Sequence, residues 1–457
     1  MHIFDYMLIA LYLGGLLFLG LWRYRKGSDS VSNLILGGRM LTLPAFVASL
    51  VSTWYGGILG VGEFSFNYGL SNWLVFGVPY YLAAGIFAIF LAKKARESEV
   101  LTIPEKLAQS YDNKTAVAGS IIIYLMTVPA AYILMLGILG QFLFNWPFWL
   151  GVTLGTLFSI IYVYFGGFNS VVRTDILQFI LMFLGFFILL IAVYFSYGGL
   201  DFLKVNVPDT HFTWHGGNSG VYIAVWYIIA LSTLIEPAFY QRCYAAKTPS
   251  VAKNGIIISI ACWAFFDFMT TACGLYARAI LPELSNPLGS YPALALKVLP
   301  IGLMGLFALS LLSTVMSTVD SYSFLAASTF GNDIAGRLFK LKEKEIIIYI
   351  RFGLIISAAL AVIIAIFFRS VVDIWHALGS IGTPALLVPV FSSIVGKRKM
   401  PAHAAFASIL MSGVISTVWY LSKFMTMDQS YWLSTEPIIP GLAASLIIFL
   451  ITSKNKI

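Results

Sequence analysis

The amino-acid sequence predicts an all-α polytopic membrane protein with thirteen transmembrane helices. Of its 457 residues, 59% are hydrophobic and only 11% are charged, and the charged residues separate long apolar runs. Soluble domains are about 45–50% apolar and about 25% charged, so this composition cannot provide a water-exposed surface. A membrane-spanning helix needs about 20 apolar residues. Runs of that kind lie near 4–22, 40–62, 70–92, 116–144, 148–166, 174–197, 218–240, 252–281, 300–330, 345–367, 373–396, 401–422 and 436–453.

The basic residues indicate how these helices are oriented. If the N-terminus is outside, the inner loops contain 23 of the 28 Lys and Arg residues, Arg242 among them, as the positive-inside rule requires. The net charge of +8 therefore reflects topology rather than nucleic-acid binding. Basic residues follow the run 4–22 rather than precede it, which predicts a retained helix. We expect one transmembrane domain over 1–457 in the cell (plasma or inner) membrane, with a cytoplasmic C-terminus.

Two predicted spans contain residues that interrupt helices. The second run has Gly56, Gly57 and several hydroxyl side chains, and the seventh has Glu236 beside Pro237. Non-helical backbone at membrane depth is tolerated only where it is buried in protein or lines a wet cavity. Paired broken helices that cross in opposite directions indicate the midplane site of a secondary transporter. The alternative is that the glycines only permit close helix packing.

The ninth run contains a stripe of hydroxyl residues with one carboxylate at its edge. At helical spacing, six Ser and Thr side chains share one face, and Asp320 lies beside them. Hydroxyls alone often bond to the carbonyl one turn earlier. An ionisable group inside a span instead faces the protein interior and marks an ion path, and hard cations prefer such oxygen ligands. A sodium site is the simplest interpretation. The stripe comprises Ser310, Ser313, Thr314, Ser317, Thr318 and Ser321.

Other chemistry has little support in the sequence. It has no Gly-rich phosphate loop and no serine elbow, so ATP-driven transport and hydrolysis lack their usual motifs, and we do not expect an enzyme. Asp267 lies in the middle of the eighth run and needs a partner that the sequence does not identify.

Three stretches together resemble the sodium:solute symporter family, which includes sodium/proline, sodium/glucose, choline and sialic acid carriers. The stretch 166–178 has a double glycine, a Thr-Asp pair and a nearby Gln. The stretch 236–247 has Pro, Gln-Arg and Ala-Ala-Lys, and 316–321 is followed by Asn-Asp-Ile at 332–334. The resemblance implies a LeuT-like fold with a five-plus-five inverted repeat. Its parts are a leading helix at 4–22, repeats at 40–197 and 218–396, and two C-terminal helices within 401–453.

The same resemblance implies the ion sites. The main sodium ion is expected at the hydroxyls of Ser317 and Thr318 and the carbonyls of Thr314, Leu50 and Thr53. Some family members bind a second sodium at positions that match Asp175, Ser317, Asp320 and Ser321, all of which carry oxygen ligands here.

The resemblance places the solute between the two broken helices. Positions that sugar carriers use for hydrogen bonds match Gly57, Phe76, Pro79 and Ile229, so sugar is disfavoured. The acidic residue of the proline carrier matches Ser52, which places proline in doubt. The aromatic residues near the breaks either enclose a small organic cation or only pack. The predicted substrate-binding residues are Ser52, Trp54, Tyr55, Gly56, Gly57, Trp226, Tyr227, Ser232 and Thr233.

We therefore expect a sodium-coupled secondary active symporter that imports a small polar or charged organic solute by alternating access. Its expected partners are the solute, Na⁺ and the lipid bilayer, with no nucleic acid. Two alternatives remain open. One is a proton-coupled symporter that uses Asp320 or Asp175, and the other is a membrane solute sensor built on the same scaffold.

Overall fold

The computed structural model describes residues 1–21, 30–368, 371–395, 398–426 and 430–455. In these ranges the chain is overwhelmingly helical, and eleven helices are long and apolar enough to cross a membrane. The predicted all-α membrane class is confirmed. Trp22 and Gly396, the last residues of two predicted segments, lie outside the described residues. The eleven helices are Ile3–Leu21, Leu43–Tyr68, Trp73–Phe90, Asn113–Phe144, Phe148–Tyr197, Gly220–Ala245, Pro249–Ile280, Leu303–Leu338, Glu343–Phe367, Val371–Ile394 and Ala402–Phe424.

Shorter elements connect these helices. The last predicted span corresponds to a 15-residue apolar helix, Ile438–Thr452. Two short antiparallel strands, Arg398–Lys399 and Lys454–Asn455, pair near the end of the described chain. The remaining short α-helices are Val31–Leu36, Ala92–Glu97, Ile103–Ser110, Leu200–Asn206 and Ser290–Val298.

The fifth and sixth predicted spans lie in one 50-residue helix, Phe148–Tyr197, which we call the long helix. It is interrupted at Gly167, whose φ of 55° and ψ of −149° are not helical. Glycine is suited to this position because positive φ strains other residues. A Cβ atom there would also lie 2.6 Å from the Leu34 side chain. Gly167 thus allows the long helix to change direction while it packs against the segment before Leu43.

The helix Leu303–Ser328, which we call the hydroxyl helix, forms the centre of the protein. Every residue from Phe307 to Ser328 is buried. The hydroxyl helix contacts the long helix through Ser310, which donates to the Met182 carbonyl at 3.0 Å. Its N-terminus is capped by the leading helix, because buried Asp5 accepts hydrogen bonds from the amides of Gly302 and Gly305. A carboxylate at this position satisfies free amides and favours the helix dipole.

Two helices are interrupted near the hydroxyl helix. The first broken helix consists of Leu43–Trp54 and Ile58–Tyr68, joined by the 3₁₀ turn Tyr55–Gly57. The second broken helix consists of Gly220–Ile229 and Pro237–Ala245. Its two parts are joined by a 3₁₀ segment at 230–235 and by Glu236, which is extended. The first interruption is therefore a local tightening, whereas the second is a true break before proline.

Backbone contacts join the ends of the two broken helices. Leu41, just before the first, forms a parallel bridge with Ala246, just after the second. Arg96 also donates to the Ala246 carbonyl at 2.6 Å. These contacts hold one end of the pair together.

Candidate functional site

Glycines in the first broken helix let two neighbouring groups approach its turn. A Cβ atom on Gly56 would lie 2.4 Å from Thr318 Cβ, and one on Gly57 would lie 1.8 Å from the Trp375 ring. Gly56 therefore faces the hydroxyl helix, whereas Gly57 faces a cavity lined in part by Trp375. Both glycines therefore permit close packing, and both lie in the 3₁₀ turn that interrupts the helix.

The hydroxyl helix meets the first broken helix at a group of oxygen atoms that we call the oxygen cage. Thr318 donates to the Thr53 carbonyl at 2.7 Å and lies 3.5 Å from the Ser52 carbonyl and 3.4 Å from the Thr314 carbonyl. The Ser317 and Ser52 hydroxyl oxygens lie 2.9 Å apart. These side chains are essentially inaccessible to solvent. Of the five residues of the predicted main sodium site, the structure brings together Ser317, Thr318, Thr314 and Thr53, and Leu50 lies buried one turn before Thr53.

The predicted second ion set divides into three environments. Asp175 accepts hydrogen bonds from Ser317 at 2.6 Å and from Ser49 at 2.5 Å, which connects it to the oxygen cage. Ser321 instead forms a hydrogen bond with Thr53 Oγ1 at 2.8 Å. Asp320 accepts a hydrogen bond from the Tyr162 hydroxyl on the long helix.

Arg242 lies between these groups, and the prediction that it occupies an inner loop is wrong. Its side chain is 0% exposed. The guanidinium donates to Ser321 at 2.7 Å, to Thr53 Oγ1 at 2.9 Å and to Ser49 at 3.1 Å, and it lies 3.5 Å from an Asp175 oxygen. A buried charge is tolerated only when it is paired and hydrogen-bonded, and these partners meet that condition.

The position of Arg242 could not be inferred from its local sequence. It lies in the helix Pro237–Ala245, whose residues are all buried. One local indication exists. Arg242 comes only six residues after Glu236, so a helix that begins at Pro237 would still include it before the following loop begins. The partner that makes its burial favourable, Asp175, is distant in sequence.

A cavity of about 170 Å³ lies on the other side of the interrupted turn. Residues of both broken helices, the hydroxyl helix and the helix Val371–Ile394 line it. Five of the predicted substrate-binding residues belong to its wall: Trp54, Tyr55, Gly57, Trp226 and Ser232.

The other four predicted substrate-binding residues lie elsewhere. Ser52 faces the oxygen cage, Gly56 packs on Thr318, Thr233 is fully buried and Tyr227 is 37% exposed. Helical rotation explains part of this division, since adjacent residues of a helix point in directions about 100° apart.

The structure adds acidic and aromatic residues to the cavity that the sequence did not assign to a site. Glu236 and Asp267 both line it, together with Tyr322, Tyr132 and Trp375. Asp267, for which the sequence named no partner, accepts a hydrogen bond from Tyr81. Glu236 and Asp267 were both detectable as carboxylates inside apolar runs, which is an indication of function in a membrane protein.

The oxygen atoms of the oxygen cage are suitable ligands for a hard monovalent cation. It consists of hydroxyl and carbonyl oxygens with one nearby carboxylate, the ligand type that hard cations prefer. Among the described residues no cluster of three or more His, Cys, Asp or Glu side chains is found. A transition-metal site of that kind is thus not formed by this part of the chain.

The fold is that of a known class of membrane transporters. The structure is similar over the full length of both chains to a Na⁺-coupled sialic acid symporter solved in a substrate-bound outward-open state, with a TM-score of 0.81 and 18% sequence identity. The fold is therefore the LeuT-like transporter fold.

Sequence comparison identifies the family. The chain belongs to the sodium:solute symporter family, whose profile matches residues 34–413. It is 25% identical to the sodium/pantothenate symporter of Haemophilus influenzae, over 94% of this chain and 91% of that protein. It is 24% identical to the high-affinity choline transporter 1 of Drosophila melanogaster, over 97% of this chain and 76% of that protein. The resemblance predicted from the sequence is confirmed, and the chain is a multi-pass transporter rather than an enzyme.

Proposed function

We propose that this protein is a sodium-coupled secondary active symporter that imports a small polar or charged organic solute by alternating access. The observation that carries this proposal is the contact between Ser317 and Thr318 of the hydroxyl helix and Ser52 and Thr53 of the first broken helix. Family membership supports sodium as the coupling ion. The ion would bind to the oxygen cage, and the solute would bind in the adjoining cavity.

We propose that the main ion site comprises the hydroxyls of Ser317 and Thr318 and the carbonyls of Thr314, Leu50 and Thr53. Each sodium that moves inward down a 100 mV potential contributes about 2.3 kcal/mol to solute uptake. Thr318 already lies within 2.7 Å of the Thr53 carbonyl, so an ion there needs little rearrangement of the backbone.

Coupling follows from the order of residues along the first broken helix. Ser52 and Thr53 contact the oxygen cage, and the next two residues, Trp54 and Tyr55, line the cavity. An ion that fixes Thr53 would also fix the wall that contacts the solute. Binding of either ligand then favours binding of the other, as reciprocal linkage requires.

The second ion set, Asp175, Ser317, Asp320 and Ser321, is supported less strongly. Arg242 already provides a positive charge beside Asp175 and Ser321, and Asp320 is bonded to Tyr162. We therefore place the coupling ion at the main site.

We also propose thirteen crossings in the predicted inverted repeat, 40–197 and 218–396, with the N-terminus outside and the C-terminus cytoplasmic. A straight 50-residue helix would be about 75 Å long, more than twice the thickness of the hydrocarbon core. The interruption at Gly167 supports two crossings within the long helix. The eleven long apolar helices then provide twelve crossings, and the helix Ile438–Thr452 provides the thirteenth.

We propose that sugars are not substrates. Gly57, Phe76 and Ile229 line the cavity and have no side-chain hydrogen-bonding groups. Each sugar hydroxyl left unpaired in a buried site would cost about 1–3 kcal/mol. Pro79 also lacks such a group.

The test is uptake into proteoliposomes by the double variant Ser317→Ala/Thr318→Ala. We expect sodium-stimulated uptake to be abolished, because two ligand side chains are lost while the amount of folded protein is unchanged. The matched control is Ser310→Ala on the same helix, whose hydroxyl bonds to the Met182 carbonyl outside the cage. Undiminished uptake by the double variant would reject the main ion site.

Replacing external sodium with potassium at fixed pH separates sodium from proton coupling. Potassium is preferable to an organic cation, which would compete if the cavity accepts cations. A proton-coupled symporter would continue to accumulate the solute in potassium as long as a pH gradient is present. Loss of accumulation despite that gradient supports sodium coupling.

A further inference from the structure

The cavity wall has acidic side chains but no basic one among the described residues. Of the seventeen described residues that line it, Glu236 and Asp267 are acidic and none is Lys, Arg or His. Arg242 is buried in the helix that follows Glu236, but its hydrogen bonds go to hydroxyls of the oxygen cage and its ion pair is with Asp175. Two carboxylates in a confined site without a basic partner favour a cationic occupant.

Glu236 is held in a fixed position at the break of the second broken helix. Its Oε1 atom accepts from the Ala238 amide at 3.3 Å and from the Tyr322 hydroxyl at 3.0 Å. The described residues form no hydrogen bond to Oε2. One oxygen therefore positions the carboxylate, and the other remains available to a donor in the cavity.

Asp267 is oriented by a directional chain of hydrogen bonds. The Trp73 indole nitrogen donates to the Tyr81 hydroxyl at 3.1 Å, and an indole N–H can only donate. The Tyr81 proton is therefore directed to Asp267 Oδ2, which accepts it. A donor directed at Oδ2 favours the ionised form of the Asp267 carboxyl group, which lines the cavity.

Aromatic rings form much of the remaining wall. Trp54 lies edge-on to Tyr80 with ring centroids 5.7 Å apart, and Phe76 lies edge-on to Trp226 at 4.7 Å. Eight of the seventeen lining residues are aromatic. Ring faces attract ammonium groups, and the attraction is strongest where water is excluded.

We propose that the solute is a small organic cation, with an ammonium group held between the carboxylates of Glu236 and Asp267 and the aromatic wall. This assignment rests on the proposed function, since it names the solute class of the same cavity. It resolves the choice left open by the sequence between an aromatic set that packs and one that encloses a cation. The aromatic residues do both, because they pack on each other around a space that is also lined by the carboxyl groups of Glu236 and Asp267.

The test measures sodium-dependent thermal stabilisation of the purified full chain by matched probes. Choline and ethanolamine represent quaternary and primary ammonium groups, and 3,3-dimethyl-1-butanol is the uncharged carbon isostere of choline. Lactate and glucose represent anions and sugars. We expect at least one cation to raise the melting temperature at a concentration roughly tenfold or more below that needed for the isostere. Preference between the two cations shows whether N–H donors to the carboxylates are required.

Variants connect the response to the two carboxylates. Glu236→Gln and Asp267→Asn keep the size of each side chain, and each should weaken the cation response by roughly tenfold or more. Glu63→Gln is the matched control, because Glu63 lies in the first broken helix but does not line the cavity. An unchanged response in both cavity variants overturns the proposal.

Two further outcomes also overturn it: stabilisation by lactate, glucose or the isostere at lower concentrations than either cation, or stabilisation by neither cation. These results are distinct from failure of symport. Sodium alone should still raise the melting temperature, and this effect should disappear in Ser317→Ala/Thr318→Ala. If that sodium response persists while cations fail, the solute class is wrong and the ion site stands.

Discussion

The two sides of the first broken helix balance charge in opposite ways. On the side of the oxygen cage, Arg242 lies 3.5 Å from Asp175 and the surrounding hydroxyls complete its hydrogen bonds. On the cavity side, the carboxylates of Glu236 and Asp267 have neutral partners, Tyr322 and Tyr81. The chain supplies a cation to the cage, whereas none of the described residues that line the cavity is basic.

Because of this difference, the cage and the cavity select their ligands in different ways, although they lie on opposite sides of one helix turn. A cage neutralised internally can bind a small metal ion through oxygen atoms without attracting large cations, which do not fit. A cavity with uncompensated carboxylates and ring faces selects by charge and size together. The two sites differ in chemistry, but both are formed in part by residues 52–55: the first two contact the cage and the next two line the cavity.

The largest expected effect comes from breaking the internal neutralisation of the cage. Arg242→Gln leaves the buried Asp175 carboxylate without its cation, and we expect the free energy of unfolding to fall by about 3–5 kcal/mol. Adding Asp175→Asn removes the unpaired charge and should restore much of this loss. A double-mutant cycle by chemical denaturation measures the coupling.

The matched comparison is Glu236→Gln in the same cycle. Because Glu236 has no cationic partner in contact, its neutralisation should destabilise the protein much less than loss of Arg242. Equal losses would show that the two sides do not differ in the way their charges are balanced. Additive effects of the Arg242 and Asp175 substitutions would show that the ion pair contributes no coupling.

Adjacent glycines allow a second, smaller test of the two sides. Gly56→Ala adds a methyl group 2.4 Å from Thr318, and Gly57→Ala adds one 1.8 Å from Trp375. Overpacking of this kind costs about 1–3 kcal/mol. We expect Gly56→Ala mainly to raise the sodium concentration for half-maximal uptake, and Gly57→Ala mainly to raise KM for the solute.

Gly60→Ala is the control for both variants, since its Cβ atom would be 3.7 Å from Trp375, an ordinary contact distance. Uptake assays that vary sodium and solute independently give the two constants. If both variants change the same constant by the same factor, the two sites are not separable at this turn.

Hydropathy and helical spacing predicted the helices and the hydroxyl residues of the oxygen cage, because both depend on local sequence. Membrane insertion depends on local apolar content, so the run 4–22 became the helix Ile3–Leu21, and the run 345–367 became Glu343–Phe367. The hydroxyl stripe was also local, because helical periodicity alone places Ser317 and Thr318 near one face.

The remaining features depend on contacts between distant segments. Burial of Arg242 is possible only because the long helix brings Asp175 to it, and no local pattern records that contact. Trp375 reaches the cavity from the helix Val371–Ile394 through the space left by Gly57. Hydropathy divided the long helix into the runs 148–166 and 174–197, and the backbone interruption at Gly167 lies between them.

The smallest expected effect is a pH dependence that arises outside both sites. His211, in the segment between the long helix and the second broken helix, is buried, and its Nε2 atom lies 3.0 Å from the Phe66 carbonyl. Burial lowers the pKa of His211 by more than the hydrogen bond with the Phe66 carbonyl raises it, and the nearby positive charge of Arg278 lowers it further. The unfolded chain therefore binds more protons than the folded chain as the pH falls below about 6.5.

The stability contributed by neutral His211 should be fully present above that pH and lost as the pH falls. We expect the melting temperature of the wild-type chain to drop by no more than a few degrees between pH 7.5 and 5.5. His211→Gln keeps a donor for the Phe66 carbonyl but does not titrate, so this part of the drop should disappear. A drop that remains unchanged in His211→Gln would assign the acid sensitivity to other groups, among which the cavity carboxylates are tested by Glu236→Gln and Asp267→Asn.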